Sequence, residues 1–134
     1  MGTIFVAYGA PANRQAVLEF AVEQAAAAGH DLLVYHVQES ASESVHELRS
    51  EVEAVVERTA PGVVYDIEVD TRDRVSDRSE DSTARRVADA VTDGEYEYAV
   101  MGDIRRGSIE DMTHASVTET VLDERAVPVV LVPV

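Results

Sequence analysis

The sequence predicts a doubly wound α/β fold, with a five-stranded parallel sheet and helices on both faces. Three observations predict it. Short apolar runs alternate with helix-period segments along the whole chain, the connections between them are short, and most of the apolar runs are unbroken, as in strands buried on both faces. The resulting order β-α-β-α-β-α-β-α-β calls for right-handed crossovers. It also places any ligand crevice outside the carboxyl ends of the strands, where the strand order reverses.

Each element has its own signal. Thr3 to Tyr8 is a continuous apolar run ended by Gly9-Ala10-Pro11. From Ala12 to Ala28, Leu18, Ala21, Val22 and Ala25 recur at i, i+3, i+4 and i+7, which is one helical face, and Gly29 supplies the stop. Asp31 to Val37 is a second buried strand. Ser42 to Thr59 is a helix with Val45, Leu48, Val52, Val55 and Val56 on one side, closed by Pro61-Gly62. In the third strand Val63, Tyr65, Ile67 and Val69 alternate with Val64, Asp66, Glu68 and Asp70, so it is expected at an edge of the sheet. Thr71 to Asp81 carries one apolar residue among charges and predicts a mobile loop. Ala84, Val87, Ala88 and Val91 mark a third helix, Tyr96 to Met101 a fourth strand, Ile109 to Asp123 a fourth helix, and Val127 to Val132 the last strand.

Length and composition narrow the function. A chain of 134 residues suits one domain spanning 1–134. Its 26 Asp and Glu stand against 11 bases, all of them Arg, for a net charge of −15. A field of that sign repels nucleic-acid phosphate and anionic membranes, so neither is an expected partner. An acidic surface without Lys fits a cytosol of molar salt, where the Debye length is about 3 Å and carboxylate repulsion is screened. The expectation is therefore a halophilic, cytoplasmic protein. The absence of cysteine excludes disulfides and thiolate zinc sites. No basic leader and no apolar run of about 18 residues is present to suggest a signal or a spanning helix.

The rim of strand ends gathers Gly9 to Arg14, Val37 to Glu39, Asp70 to Asp81 and Gly102 to Glu110. Here the residues resemble the universal stress protein (UspA-like) family over nearly the whole chain. TIFVAYGAPANRQAVLEFA is similar to the family's first strand and helix, DLLVYHV to its second strand, and YAVMG with AVPVVLVPV to its closing half. The resemblance implies a nucleotide site patterned as Gly, two residues, Gly, nine residues, Gly, then Ser or Thr. On this chain those positions fall on Gly102, Arg105, Ala115 and Ser116, so two of the three glycines are replaced, and the family's Asp after the first strand falls on Gly9. The candidate binding residues are Gly9, Val37, Gly102, Arg105, Arg106, Gly107 and Ser116.

The replacements bear on the chemistry. A phosphate cradle needs backbone N–H groups converging on one concavity, with Gly where a Cβ would strike the ligand. Arg105 and Arg106 offer fork donors to phosphate. Against them Asp103, Glu110 and Asp111 bring three carboxylates into the same loop, each opposing an anion by about 1 kcal/mol at 4 Å in water. Ser108 with Glu110 and Asp111 also reads as an ordinary helix cap that supplies its own anion. The four His residues show no metal-ligand spacing, and His36 on a buried strand reads as a core imidazole.

The preferred reading is a dimeric binding or interaction module without enzymatic turnover and without a required cofactor. Its last strand, Val127 to Val134, is expected to pair with a second copy, because an apolar edge is unsafe unpaired. The alternative is an ATP-binding switch with slow hydrolysis or self-phosphorylation at Ser116. A lid at Thr71 to Asp81 ordered by another small ligand is a third reading. A response-regulator receiver is excluded by the absence of an acidic pair after the first strand and of any Lys. The GAPANR loop is neither the phosphate loop of a flavodoxin nor the Ser-Gly-Gly loop of an ATP-pyrophosphatase.

Overall fold

The computed structural model describes residues 2–9, 14–38, 44–71, 80–103, 121–122 and 124–133. The elements are β1 (Thr3–Ala7), α1 (Arg14–Ala28), β2 (Asp31–Gln38), α2 (Val45–Thr59), β3 (Tyr65–Thr71), α3 (Glu80–Asp93), β4 (Tyr98–Asp103) and β5 (Val129–Pro133). They form one five-stranded sheet in the order β3-β2-β1-β4-β5, with every pair parallel. The predicted fold class holds, and β3 lies at an edge as its alternation requires.

The unbroken apolar runs are explained by burial on both faces. On one face Ile4, Val6, Leu32 and Val34 pack against Leu18, Val22, Val52 and Val55 of α1 and α2. On the other, Phe5, Tyr35, Val37, Ala99 and Met101 meet Val87, Ala88 and Val91 of α3 and Val121. Each fully buried aliphatic side chain contributes about 1.5–3 kcal/mol. β3 is covered on one face only. Tyr65, Ile67 and Val69 pack on the α1–α2 side, and Asp66 and Glu68 are exposed.

Helix ends follow local chemistry. Gly29 stops α1 in the left-handed region at φ +73°, and the N–H groups of Gly29 and His30 both turn back to the Ala25 carbonyl. Ser44 caps α2, its Oγ accepting from the Glu47 N–H at 3.1 Å.

Several boundaries differ from the sequence expectation, because a strand begins where its ladder partner begins. β4 starts at Tyr98, opposite Ile4, while the Tyr96 ring lies 5.1 Å from Phe5 in the core. It runs on through Gly102 to Asp103, opposite Val132 and Pro133, so the glycine lies within the strand instead of ending it. β5 spans Val129–Pro133, and regular structure reaches Thr71 and resumes at Glu80, shortening the expected charged loop from both sides. Residues 72–79, the expected Ser108 cap and nearly all of the helix expected over 109–123 lie outside the described residues.

Close packing at the end of α3 gives a direct test. A Cβ added at Gly94 would stand 2.5 Å from the Tyr96 ring. Gly94→Ala therefore pushes that ring off Phe5 and lowers stability by about 1–3 kcal/mol, read as a lower urea midpoint. An unchanged midpoint would mean the ring moves aside at no cost.

Candidate functional site

The strand order reverses between β1 and β4, since β2 and β3 lie on one side of β1 and β4 and β5 on the other. Gly9 follows the last residue of β1 by two positions and Gly102 is the last but one of β4, so both lie near the carboxyl ends of these two neighbours. This is where an open α/β sheet offers its crevice. Gly9 is exposed, and a Cβ placed on it would meet nothing within 4 Å, so crowding does not forbid a larger residue there. Val37 is different, because its side chain is buried in the core under α3. Arg105, Arg106, Gly107 and Ser116 lie outside the described residues, as does His114.

Beside the crevice stands a cluster the sequence reading did not assemble. Arg14, the first residue of α1, donates from Nε and Nη2 to the two carboxylate oxygens of Glu51 on α2, at 2.8 and 3.0 Å. Its Nη1 donates to the Gly9 carbonyl at 3.1 Å, and its guanidinium lies 4.6 Å above the Tyr8 ring. The Tyr8 hydroxyl donates to the same Glu51 carboxylate. The fork from Arg14 holds Glu51 below the ordinary carboxylate range, partly offset by burial. Burial, then the bond to Glu51, pushes the Tyr8 phenol far up, so it remains a neutral donor. A guanidinium engaged on three nitrogens ties the β1 exit to α1 and α2. One signal for this pairing was present in the sequence: Glu51 stands three residues after Leu48 and four before Val55, on the apolar stripe of α2.

Two histidines fill structural roles. His36 is buried and donates Nδ1–H to the Tyr8 carbonyl at 2.7 Å, as its core reading expects. Nδ1 of His30 accepts the Gly2 N–H at 3.0 Å, fastening the start of β1. Among the described residues no group of three or more His, Asp or Glu is placed to hold a metal ion.

On the opposite side of the sheet, β3 and α3 border an open cleft of about 340 Å³ lined by Tyr35, Glu68, Asp70, Arg86, Asp89 and Asp93, among others. The Tyr35 hydroxyl donates to Asp70 Oδ2 at 2.9 Å, and Arg86 Nη1 lies 3.4 Å from the same oxygen. Burial and the bond to Asp70 push the Tyr35 phenol up. Arg86 Nε is buried without a partner among the described residues. The sequence reading did not anticipate this cleft, since its walls come from segments far apart in the chain.

The fold defines a doubly wound α/β domain whose strand order reverses between β1 and β4. The family within that class is given by comparison: the chain belongs to the universal stress protein family, whose model matches residues 1–133. Solved structures share the fold. A universal stress protein from Archaeoglobus fulgidus is 19% identical, with 98% of each chain covered and a TM-score of 0.66. The Archaeoglobus fulgidus protein in complex with dAMP is 17% identical, with 98% of this chain and 97% of that one covered and a TM-score of 0.59. A universal stress protein in complex with cAMP is 16% identical, with 99% and 98% covered and a TM-score of 0.66. Among curated protein sequences none matches the chain. No helix among the described residues is long and apolar enough to cross a membrane.

Proposed function

We propose that this chain acts as a homodimeric binding and interaction module of the universal stress protein family, without turnover and without an ATP cradle of the three-glycine type, in a cytosol of high salt. The observation that carries this reading is the inequality of the two sheet edges. β5 presents Val129 to Val132, all partly exposed and apolar, whereas β3 presents the exposed carboxylates Asp66 and Glu68. An apolar edge favours pairing with a second copy across a two-fold axis, and charged side chains on the other edge discourage it. Replacement of two cradle glycines by Arg105 and Ala115, and the engagement of Arg14 by Glu51, support an altered crevice.

Light scattering in molar KCl tests the assembly. Twice the chain mass of 14.6 kDa, with slow amide exchange over 129–133, is expected. A monomer at concentrations of about 10 μM would overturn it. A second reading, an ATP-binding switch using Arg105, Arg106 and Ser116, is favoured by the relatives in complex with dAMP and cAMP. Calorimetry with ATP and Mg²⁺ separates the two. Our reading expects no heat at about 1 mM ATP, whereas affinity near 1 μM that Arg105→Ala with Arg106→Ala abolishes would establish the switch.

A further inference from the structure

The border of β5 is defined by which of its peptide groups β4 takes, since among the described residues no strand lies beyond it. The Ala99 N–H donates to the Pro128 carbonyl at 2.9 Å, with Ala99 opposite Val129 and Met101 opposite Leu131. In a parallel ladder this turns the peptide groups of Val130 and Val132 toward β4 and those of Val129, Leu131 and Pro133 away from it. Val129 and Leu131 therefore each hold out an N–H and a C=O, and Pro133 holds out a C=O alone. The side chains divide in the same way, Val130 and Val132 packing with the α1–α2 core and Val129 and Leu131 with the α3 core. From 126 to 133 no residue is charged, so two copies of a chain of net charge −15 meet here without opposing carboxylates.

We infer that β5 pairs antiparallel with β5 of a second copy about a two-fold axis at Val130, and that Pro133 sets this register. The inference rests on the homodimer proposed above and adds which residues face each other. Antiparallel pairing sets outward groups against outward groups, so the axis falls on a residue and not between two. With the axis at Val130, Val129 of each copy lies opposite Leu131 of the other and exchanges both hydrogen bonds with it, and Val130 lies opposite its own counterpart. Every outward N–H of the strand then has an acceptor, as an isologous contact requires. Moving the axis to Leu131 sets Val129 against Pro133, which has no N–H to give, so the Val129 carbonyls go unpaired and a ring enters the ladder. Moving it to Val129 sets Leu131 against Val127, which precedes the strand.

Disulfide trapping on the full chain tests the axis, because the chain has no cysteine of its own. Directly opposed residues that share no hydrogen bonds stand about 4.5 Å apart at Cα, within the span of a disulfide, whereas diagonal neighbours stand about 7–8 Å apart, beyond it. In molar KCl with a mild oxidant, Val130→Cys is expected to form a covalent dimer about tenfold faster than Leu131→Cys. Pro133→Ala, which restores an outward N–H, is expected to narrow that difference by raising the rate through Leu131→Cys. Light scattering on the parent chain keeps the two levels apart. If the parent is a dimer, trapping through Leu131→Cys as fast or faster, or through neither cysteine, overturns the axis and leaves the homodimer standing. A difference unmoved by Pro133→Ala overturns the part given to Pro133. A monomeric parent removes the homodimer and the axis together.

Discussion

Glu51→Ala is expected to lower stability at pH 7 by about 2–3 kcal/mol, because it leaves the Arg14 guanidinium and the Tyr8 hydroxyl without their shared acceptor. The figure is set below that of a fully buried pair, since the Arg14 and Glu51 side chains keep 16% and 24% of their exposure. Glu51→Gln retains an acceptor oxygen and removes the charge, so it is expected to cost about half as much. The pH dependence has a definite sign. Folding holds Glu51 below its ordinary value of 4.5, so the folded chain releases the proton more readily than the unfolded one. Its contribution is complete above that ordinary value and is lost as the pH falls through the folded value. Urea midpoints measured from neutral pH down to about pH 3 should fall less steeply in Glu51→Gln than in the parent. Parallel acid limbs would show that Glu51 adds no pH-dependent stability.

Leu18→Ala is expected to cost about 2–5 kcal/mol, the largest effect of any substitution considered. Leu18 is fully buried between α1 and the sheet, among Ile4, Val6, Val22 and Val100, where the close packing of two layers resists collapse into the space left behind. The midpoint of urea unfolding should fall with little change in slope. Leu122→Ala provides the contrast. That residue is 47% exposed, and its removal should change stability by no more than about 0.5 kcal/mol. Similar losses at the two positions would contradict the assignment of the core.

These expectations rest on features of unequal visibility in the sequence. The alternation of elements was legible because each segment carries its own period, and because Gly29 and Pro61-Gly62 end helices by local chemistry. The edge position of β3 was legible too, since a strand with one wet face must alternate. The ends of β4 and β5 were not, because they depend on register with a neighbour: Tyr98 begins β4 because Ile4 is there to receive it. Long-range polar pairing was the least visible. Arg14 and Glu51 are 37 residues apart, as Tyr35 and Asp70 are 35, and no local periodicity joins them. At the candidate site, Gly9 and Gly102 lie near the carboxyl ends of the neighbouring strands β1 and β4. The burial of Val37 follows from its place in a buried strand, but the sequence did not show that Arg14 would already be engaged by Gly9 and Glu51.

The carboxylates along β3 have a consequence for the protein at high concentration. Growth of a filament by strand addition requires two receptive borders on every subunit, one to accept and one to offer. A chain with Asp66 and Glu68 exposed along one border has at most one such surface. In the dimer proposed above, association through sheet borders is therefore expected to terminate after a single step, so that crowding does not feed fibre growth.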